Sequence, residues 1–251
     1  MTMGRQWRRL AIALLALPLL AATVVAVEVM LARRGTRSGD PPLVLAGPVG
    51  QGPGPPLEVV WLGDSTAAGI GAPDRETTLP IQVSLGLGRP VELTVLARGG
   101  ATVSDVVERQ LPALAGRQPD AVFISAGAND VTHLRSRSDL ARDYRRLLAG
   151  LGQSSEVIVL GIPDMGSIPR LAQPLRALAG WRGRQLDRVV RQAAAAGGAA
   201  YVDIAGETGP DFRGDPERFF AADRYHPSAA GYRRWADAVL DVVGASTRLG
   251  R

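Results

Sequence analysis

From residue 57 onward the chain alternates short apolar runs with longer amphipathic ones. Mainly apolar runs predict buried strands at Leu57–Leu62, Val91–Leu96, Ala121–Ser125, Val157–Gly161 and Ala200–Ile204. Between them, apolar residues recurring at three- and four-residue spacing predict helices around Thr78–Leu85, Val103–Leu111, Ser138–Leu151, Pro174–Ala196 and Ser228–Val243. Strands apolar on both faces and separated by helices call for a parallel sheet covered on both sides.

The expected fold class is therefore α/β: three layers, α/β/α, around a five-stranded parallel sheet in the flavodoxin-like order 2-1-3-4-5. That order sets strands one and three side by side where the winding reverses, and ligands bind there, beyond the carboxyl ends of the strands. No internal repeat is apparent.

Upstream of the alternating region the pattern changes. Residues 1–9 form a basic flank with Arg5, Arg8 and Arg9; Leu10–Val27 is a run of 18 uncharged residues, prolonged to Ala32 past Glu28 and closed by Arg33 and Arg34. A spanning helix needs about 20 apolar residues, so residues 10–32 are expected to be a transmembrane signal anchor. Val24-Val25-Ala26 leaves open a cleaved secretory signal. Residues 33–56 are rich in proline and glycine and read as a semi-extended linker not expected to pack. The folded domain is then 57–251, held at the membrane with its catalytic part outside the cytoplasm, or else secreted.

The net charge of +5 changes this picture little, because it is carried by the tail. Beyond residue 56 there are 23 arginines against 22 acids, so the folded part is near neutral and offers no nucleic-acid footprint. With no cysteine and two histidines far apart in sequence, a dedicated transition-metal site is not expected, and no organic cofactor motif is complete. Gly69-Ile70-Gly71-Ala72-Pro73-Asp74 begins like a dinucleotide fingerprint, but Pro73 and Asp74 stand where its helix should start. A Gly-x-Ser-x-Gly elbow is absent as well.

Candidate chemistry sits where the predicted strands end. Gly63-Asp64-Ser65 follows the first strand; such a turn either caps a helix or lifts a serine hydroxyl over the sheet edge. Asp223-Arg224-Tyr225-His226 carries an acid three residues before a histidine, so both side chains can leave one turn. The carboxylate can then hold one ring nitrogen while the other stays free, as a general base requires; a surface histidine beside a capping aspartate is the alternative. Gly127-Ala128-Asn129-Asp130 ends the third strand with an amide able to donate to a developing oxyanion. Leu96-Ala97-Arg98-Gly99-Gly100 ends the second in a glycine turn, where a bare backbone N–H can approach a substrate oxygen.

In this order the four blocks resemble the SGNH (GDSL-type) hydrolase family, over roughly residues 57–245. Carried over by position, the resemblance implies Ser65 as nucleophile, His226 as base, Asp223 as its orienting acid, and Ser65, Gly100 and Asn129 as the oxyanion hole. The second block departs from the family pattern, with Leu96-Ala97-Arg98 where an asparagine often precedes the glycine, so Gly99 competes with Gly100. His133, four residues after Asn129, is a possible contact near the centre; Asp130 and Thr102 are expected to support it by hydrogen bonds.

The implied activity is a serine esterase or lipase acting through an acyl-Ser65 intermediate, without metal or cofactor, on small-molecule, lipid or acetylated-glycan esters. The protein is expected to be a monomer bound to the membrane through its N-terminal helix. An acyltransferase of the same fold and a catalytically silent binding module are the rivals.

Overall fold

The computed structural model describes residues 43–152, 155–245 and 249. The expected span Leu10–Ala32 lies outside the described residues. Among those described, no helix is long and apolar enough to cross a membrane.

Six strands form one sheet: β1 (Gly47–Val49), β2 (Leu57–Gly63), β3 (Val91–Val95), β4 (Ala121–Ser125), β5 (Glu156–Leu160) and β6 (Ala200–Val202). Their order is β1-β3-β2-β4-β5-β6. The five strands from β2 to β6 are parallel and stand in the expected order, so the α/β class holds. The sheet nonetheless has six strands and is mixed, because β1 pairs antiparallel with β3 through Gly47 opposite Leu93 and Val49 opposite Val91.

This strand corrects the linker reading. The part of residues 33–56 that is described packs against the domain, with Leu45 and Val49 buried in the common core. The reason is the edge of β3, whose backbone groups would otherwise face water; three residues from a proline- and glycine-rich stretch suffice to cover it.

The helices are α1 (Leu79–Gly86), α2 (Val103–Asp105), α3 (Ala128–Thr132), α4 (Arg137–Gly150), α5 (Leu175–Ala196), α6 (Ile204–Gly214), α7 (Pro216–Phe219) and α8 (Ala229–Gly244). After α2 the chain widens into a π turn, Val106–Gln110, and then tightens into a 3-10 turn, Leu111–Leu114. The fifth strand is shorter than expected. At its end Asp203 turns the chain and caps α6, its carboxylate accepting from the Gly206 N–H at 2.9 Å.

The two central strands are bound by more than their ladder. Trp61 and Phe123 are register partners across β2 and β4, and their rings stack with centroids 4.7 Å apart. Both are fully buried, so the turns that follow β2 and β4 leave from a packed part of the sheet.

Candidate active site

The turn that carries Ser65 begins at Gly63, whose φ of 145° and close approach to β4 admit no side chain: a Cβ there would lie 2.0 Å from the Ser125 carbonyl oxygen. The chain then leaves the ladder. The Asp64 N–H donates to the Ser125 carbonyl at 2.9 Å. The Asp64 carboxylate, buried under the turn, accepts from the Thr66 N–H at 3.0 Å and the Thr66 hydroxyl at 2.9 Å. Thr66 Oγ1 also shares a 2.7 Å hydrogen bond with Ser125 Oγ. Burial pushes the Asp64 carboxyl above its usual range in spite of these donors. Ser65 is left half-buried at the crest, at the carboxyl end of β2.

His226 is delivered by a tight turn ahead of α8. Asp223 Oδ1 accepts from the backbone N–H groups of Tyr225 and His226 at 2.9 and 3.0 Å. Its Oδ2 lies 2.6 Å from His226 Nδ1. Burial would raise the Asp223 carboxyl, but the donors from His226 and Tyr225 outweigh it and hold it below the usual carboxylate range. An ionised carboxylate only accepts, so Nδ1 carries the hydrogen and Nε2 keeps its lone pair. Nε2 stands 3.1 Å from Ser65 Oγ. Arg224 takes a left-handed conformation, φ 56°, to close this turn, and Ser228 caps the helix behind it.

Glycine is needed again where the loop after Ser65 passes beneath the histidine. A Cβ on Gly71 would lie 2.8 Å from His226 Cβ and 2.6 Å from the Pro227 carbonyl. The buried Tyr232 hydroxyl of α8 donates to the Ile70 carbonyl at 2.5 Å, tying this loop to the helix that follows His226.

Asn129 lies in the first turn of α3, which starts where β4 ends. One hydrogen of its side-chain amide goes to the Ala101 carbonyl at 3.0 Å, so the second remains for another acceptor. Asp130 Oδ2 accepts from the Val103 N–H at 3.0 Å. These two bonds fasten the glycine turn after β3 to α3. Gly100 itself is exposed, with φ 81°, and a Cβ there would meet nothing within 4 Å. Gly99 is constrained instead by Ile70, whose Cδ1 would lie 2.8 Å from a Cβ. Thr102 caps α2 in a reciprocal box with Asp105. His133 is exposed and bonds through Nδ1 to the Asn129 carbonyl at 2.8 Å, holding the back of α3.

A pocket opens beside Ser65, His226 and Asn129, and Gly100 does not line it. Its other walls are mostly apolar, with Met165 and Ile168 from the loop after β5, Phe212 from α6, Phe220, and Trp235 from α8. The buried Trp235 Nε1 has no partner among the described residues. Asp164, also on the wall, is ion-paired with Arg213. Among the described residues no three acidic or histidine side chains gather as metal ligands.

The serine, histidine and aspartate are thus brought into one hydrogen-bonded line from sites 161 and 3 residues apart. Comparison with known proteins bears out the family resemblance. The chain belongs to the GDSL-like lipase/acylhydrolase family, whose pattern matches residues 61–234. It is 37% identical over 191 residues to a GDSL-like esterase of Mycobacterium tuberculosis, a match covering 73% of this chain and 60% of that protein. This chain therefore spans less than two thirds of that relative.

Solved structures of the same fold include a lipase/acylhydrolase from Enterococcus faecalis, 22% identical with a TM-score of 0.59, covering 75% of this chain and 96% of that one. An acetylxylan esterase from Geobacillus stearothermophilus is 22% identical with a TM-score of 0.57, covering 78% and 96%.

One supporting residue escaped the sequence reading. Gln110 accepts from the Gly63 N–H and donates to the Gly63 carbonyl, each at 2.8 Å. Its signal was present: Val103, Val106, Val107, Gln110 and Leu114 form one buried stripe, and Gln110 is its single polar member.

Proposed function

We propose that the protein is a serine-dependent ester hydrolase that works through an acyl-Ser65 intermediate. The observation carrying this reading is the line Asp223 Oδ2–His226 Nδ1, 2.6 Å, and His226 Nε2–Ser65 Oγ, 3.1 Å. Within it, His226 Nε2 takes the Oγ proton as Oγ attacks the ester carbonyl carbon. Asp223 holds the ring and offsets the imidazolium charge. The tetrahedral oxyanion is met by the Ser65 N–H and by the second amide hydrogen of Asn129, both on the pocket wall, and the Gly100 N–H, outside that lining, is the third donor by the family resemblance alone; such donors act mainly when the charge forms. Collapse expels the alcohol, which takes the proton from Nε2. Water, deprotonated by the same nitrogen, then releases the acid and restores Ser65.

The apolar wall of Met165, Ile168, Phe212, Phe220 and Trp235 suits an acyl chain rather than a sugar. Carboxylic esters of lipids, with acetylated envelope glycans as the second substrate group, fit this reading. Both esterases and lipases occur among the similar proteins. The residues before the domain are read as the membrane anchor, so the full-length chain is expected to sediment with membranes and to resist extraction by salt.

The test is covalent capture. Incubation with a p-nitrophenyl alkylphosphonate should add one phosphonyl group at Ser65, located by peptide mass, and abolish ester turnover in proportion. Modification elsewhere with full loss of activity would refute the assignment of the nucleophile.

A further inference from the structure

Five large hydrophobic side chains stand out from the surface of the described residues, and three of them share one place. Leu134 is 73% exposed, Leu178 46% and Trp181 51%. Leu178 and Trp181 lie one turn apart near the start of α5, and Leu134 follows α3. Arg182 joins the two elements, its guanidinium donating to the carbonyls of Val131 and Arg135, on either side of Leu134.

This patch lies on the catalytic edge of the sheet. Helices of a parallel α/β layer run against the strands, so the start of α5 and the end of β5 are at the same edge as Ser65. Contact with the pocket wall is direct. A Cβ on Gly180 would lie 2.9 Å from Gly166 Cα, and one on Gly183 3.0 Å from Met165 Cγ, so α5 packs its glycines on the loop that lines the pocket. Trp181, between those glycines in sequence, points outward.

The segments that carry it are basic. Residues 131–138 and 165–186 hold six arginines and no acid, in a domain of 23 arginines and 22 acids. Arg137 and Arg184 are exposed and have no acidic partner among the described residues. An exposed tryptophan and two leucines, with Arg137 and Arg184 exposed on the same two segments, match a surface that is anionic at its headgroups and apolar beneath, as a bilayer of acidic phospholipid is.

We infer that Leu134, Leu178 and Trp181, with the arginines of the same segments, form a face that docks the catalytic edge onto an anionic lipid surface and so presents lipid-borne esters to Ser65. This rests on the ester-hydrolase reading for its substrate, though not for the docking itself. An anchor before the domain would keep the face within reach of the same membrane.

The experiment uses the full chain reconstituted in phosphatidylglycerol vesicles with brominated acyl chains, and in matched phosphatidylcholine vesicles. The chain has four tryptophans, of which Trp61 and Trp235 are buried, so the loss of quenching in Trp181→Phe isolates Trp181. Quenching of wild type should exceed that of Trp181→Phe in phosphatidylglycerol, and the excess should shrink at high salt. In parallel, Leu134→Ser/Leu178→Ser/Trp181→Ser should lower the rate on a vesicle-borne ester about tenfold, while hydrolysis of soluble p-nitrophenyl acetate stays unchanged.

Equal quenching of wild type and Trp181→Phe would overturn the inference. So would a detergent-soluble dimer that Trp181→Ser dissociates, because the face would then serve a second copy. Absence of any soluble-ester hydrolysis in wild type would instead strike the ester-hydrolase reading and leave the quenching result standing by itself.

Discussion

Gln110 holds Gly63 by both of its backbone polar atoms, accepting from the N–H and donating to the carbonyl at 2.8 Å each. Gly63 is the last residue of β2 and stands two residues before Ser65. The carbonyl has a second donor, the Arg98 N–H at 3.1 Å, whereas the N–H has Gln110 alone among the described residues. The π turn Val106–Gln110 brings this side chain to the strand end, and such widened turns recur at functional sites. The Ser65 turn is thus braced on one flank by Ser125 and on the other by Gln110.

Gln110→Ala should therefore cost about 1–3 kcal/mol of stability, the penalty for an unpaired buried N–H. It should also lower kcat about tenfold or more while KM stays within about twofold, because a displaced serine loses attack geometry more than substrate affinity. Gln110→Glu separates positioning from mere packing. Protonated, it can accept from and donate to Gly63 as glutamine does; ionised, it loses the donor. Its kcat should approach wild type at low pH and fall away as pH rises, a profile absent from Gln110→Ala. Parallel pH profiles for the two variants would show that Gln110 only fills space.

Ser65→Ala and His226→Ala should each remove nearly all ester turnover, on the order of 10⁴-fold or more, and the double variant should be little worse. In the proposed relay the two, 3.1 Å apart, share one proton, so losing either loses the step. Steady-state kinetics on a chromogenic ester decides this. A single variant retaining a tenth of wild-type kcat would exclude the proposed relay.

The local parts of this architecture were legible in the sequence. Val59–Leu62 and Ala121–Ile124 read as buried strands because nothing polar interrupts them, and their neighbours in space follow from the winding rule. Asp223 and His226 were readable as a pair because three residues suffice to join them.

What escaped depends on distance or on composition. The antiparallel strand β1 sits in a stretch whose prolines and glycines argue against any element; only the open edge of β3 makes it one. Helix α6 carries Gly206, Gly209, Pro210 and Gly214, all poor helix formers. Gly209 lies where α6 meets Asp164, whose Cβ would be 3.2 Å from a Cβ there, a tight contact. Gln110 acts on a residue 47 positions away, a relation that no local pattern encodes.

Asn129→Ala should lower kcat by about 10²–10³ with little change in KM, because its free amide hydrogen matters chiefly when the oxyanion develops. Part of that loss has another source. The Nδ2 bond to Ala101 also ties the glycine turn to α3, so Gly100 would loosen in the same variant. His133→Ala removes exposed bonds to the Asn129 carbonyl and the Thr132 hydroxyl and should change kcat by less than about threefold. The two kcat values, measured side by side, test the order; a greater loss at His133 would put the reacting centre on the wrong side of α3.

Asp130 makes the stability of the domain depend on pH. Its carboxyl is fully buried, one oxygen accepts from Val103 and the other has no partner among the described residues. Burial, reinforced by the nearby Asp64 charge, pushes it from 3.8 to about 6 against the pull of the Val103 N–H and of Arg135. Between those two values the folded chain binds a proton that the unfolded chain has released. Stability contributed by this group is therefore greatest in acid and falls as pH rises through that window, levelling above it.

Asp130→Asn keeps the size and an acceptor for Val103 but cannot ionise. Its stability relative to wild type should rise across the same window, by up to about 3 kcal/mol at about 1.4 kcal/mol per unit of pKa, and then stay flat. Urea midpoints of both proteins from acid to neutral pH measure this directly. A stability difference independent of pH would mean that Asp130 does not titrate in this range, and that a donor outside the described contacts holds its second oxygen.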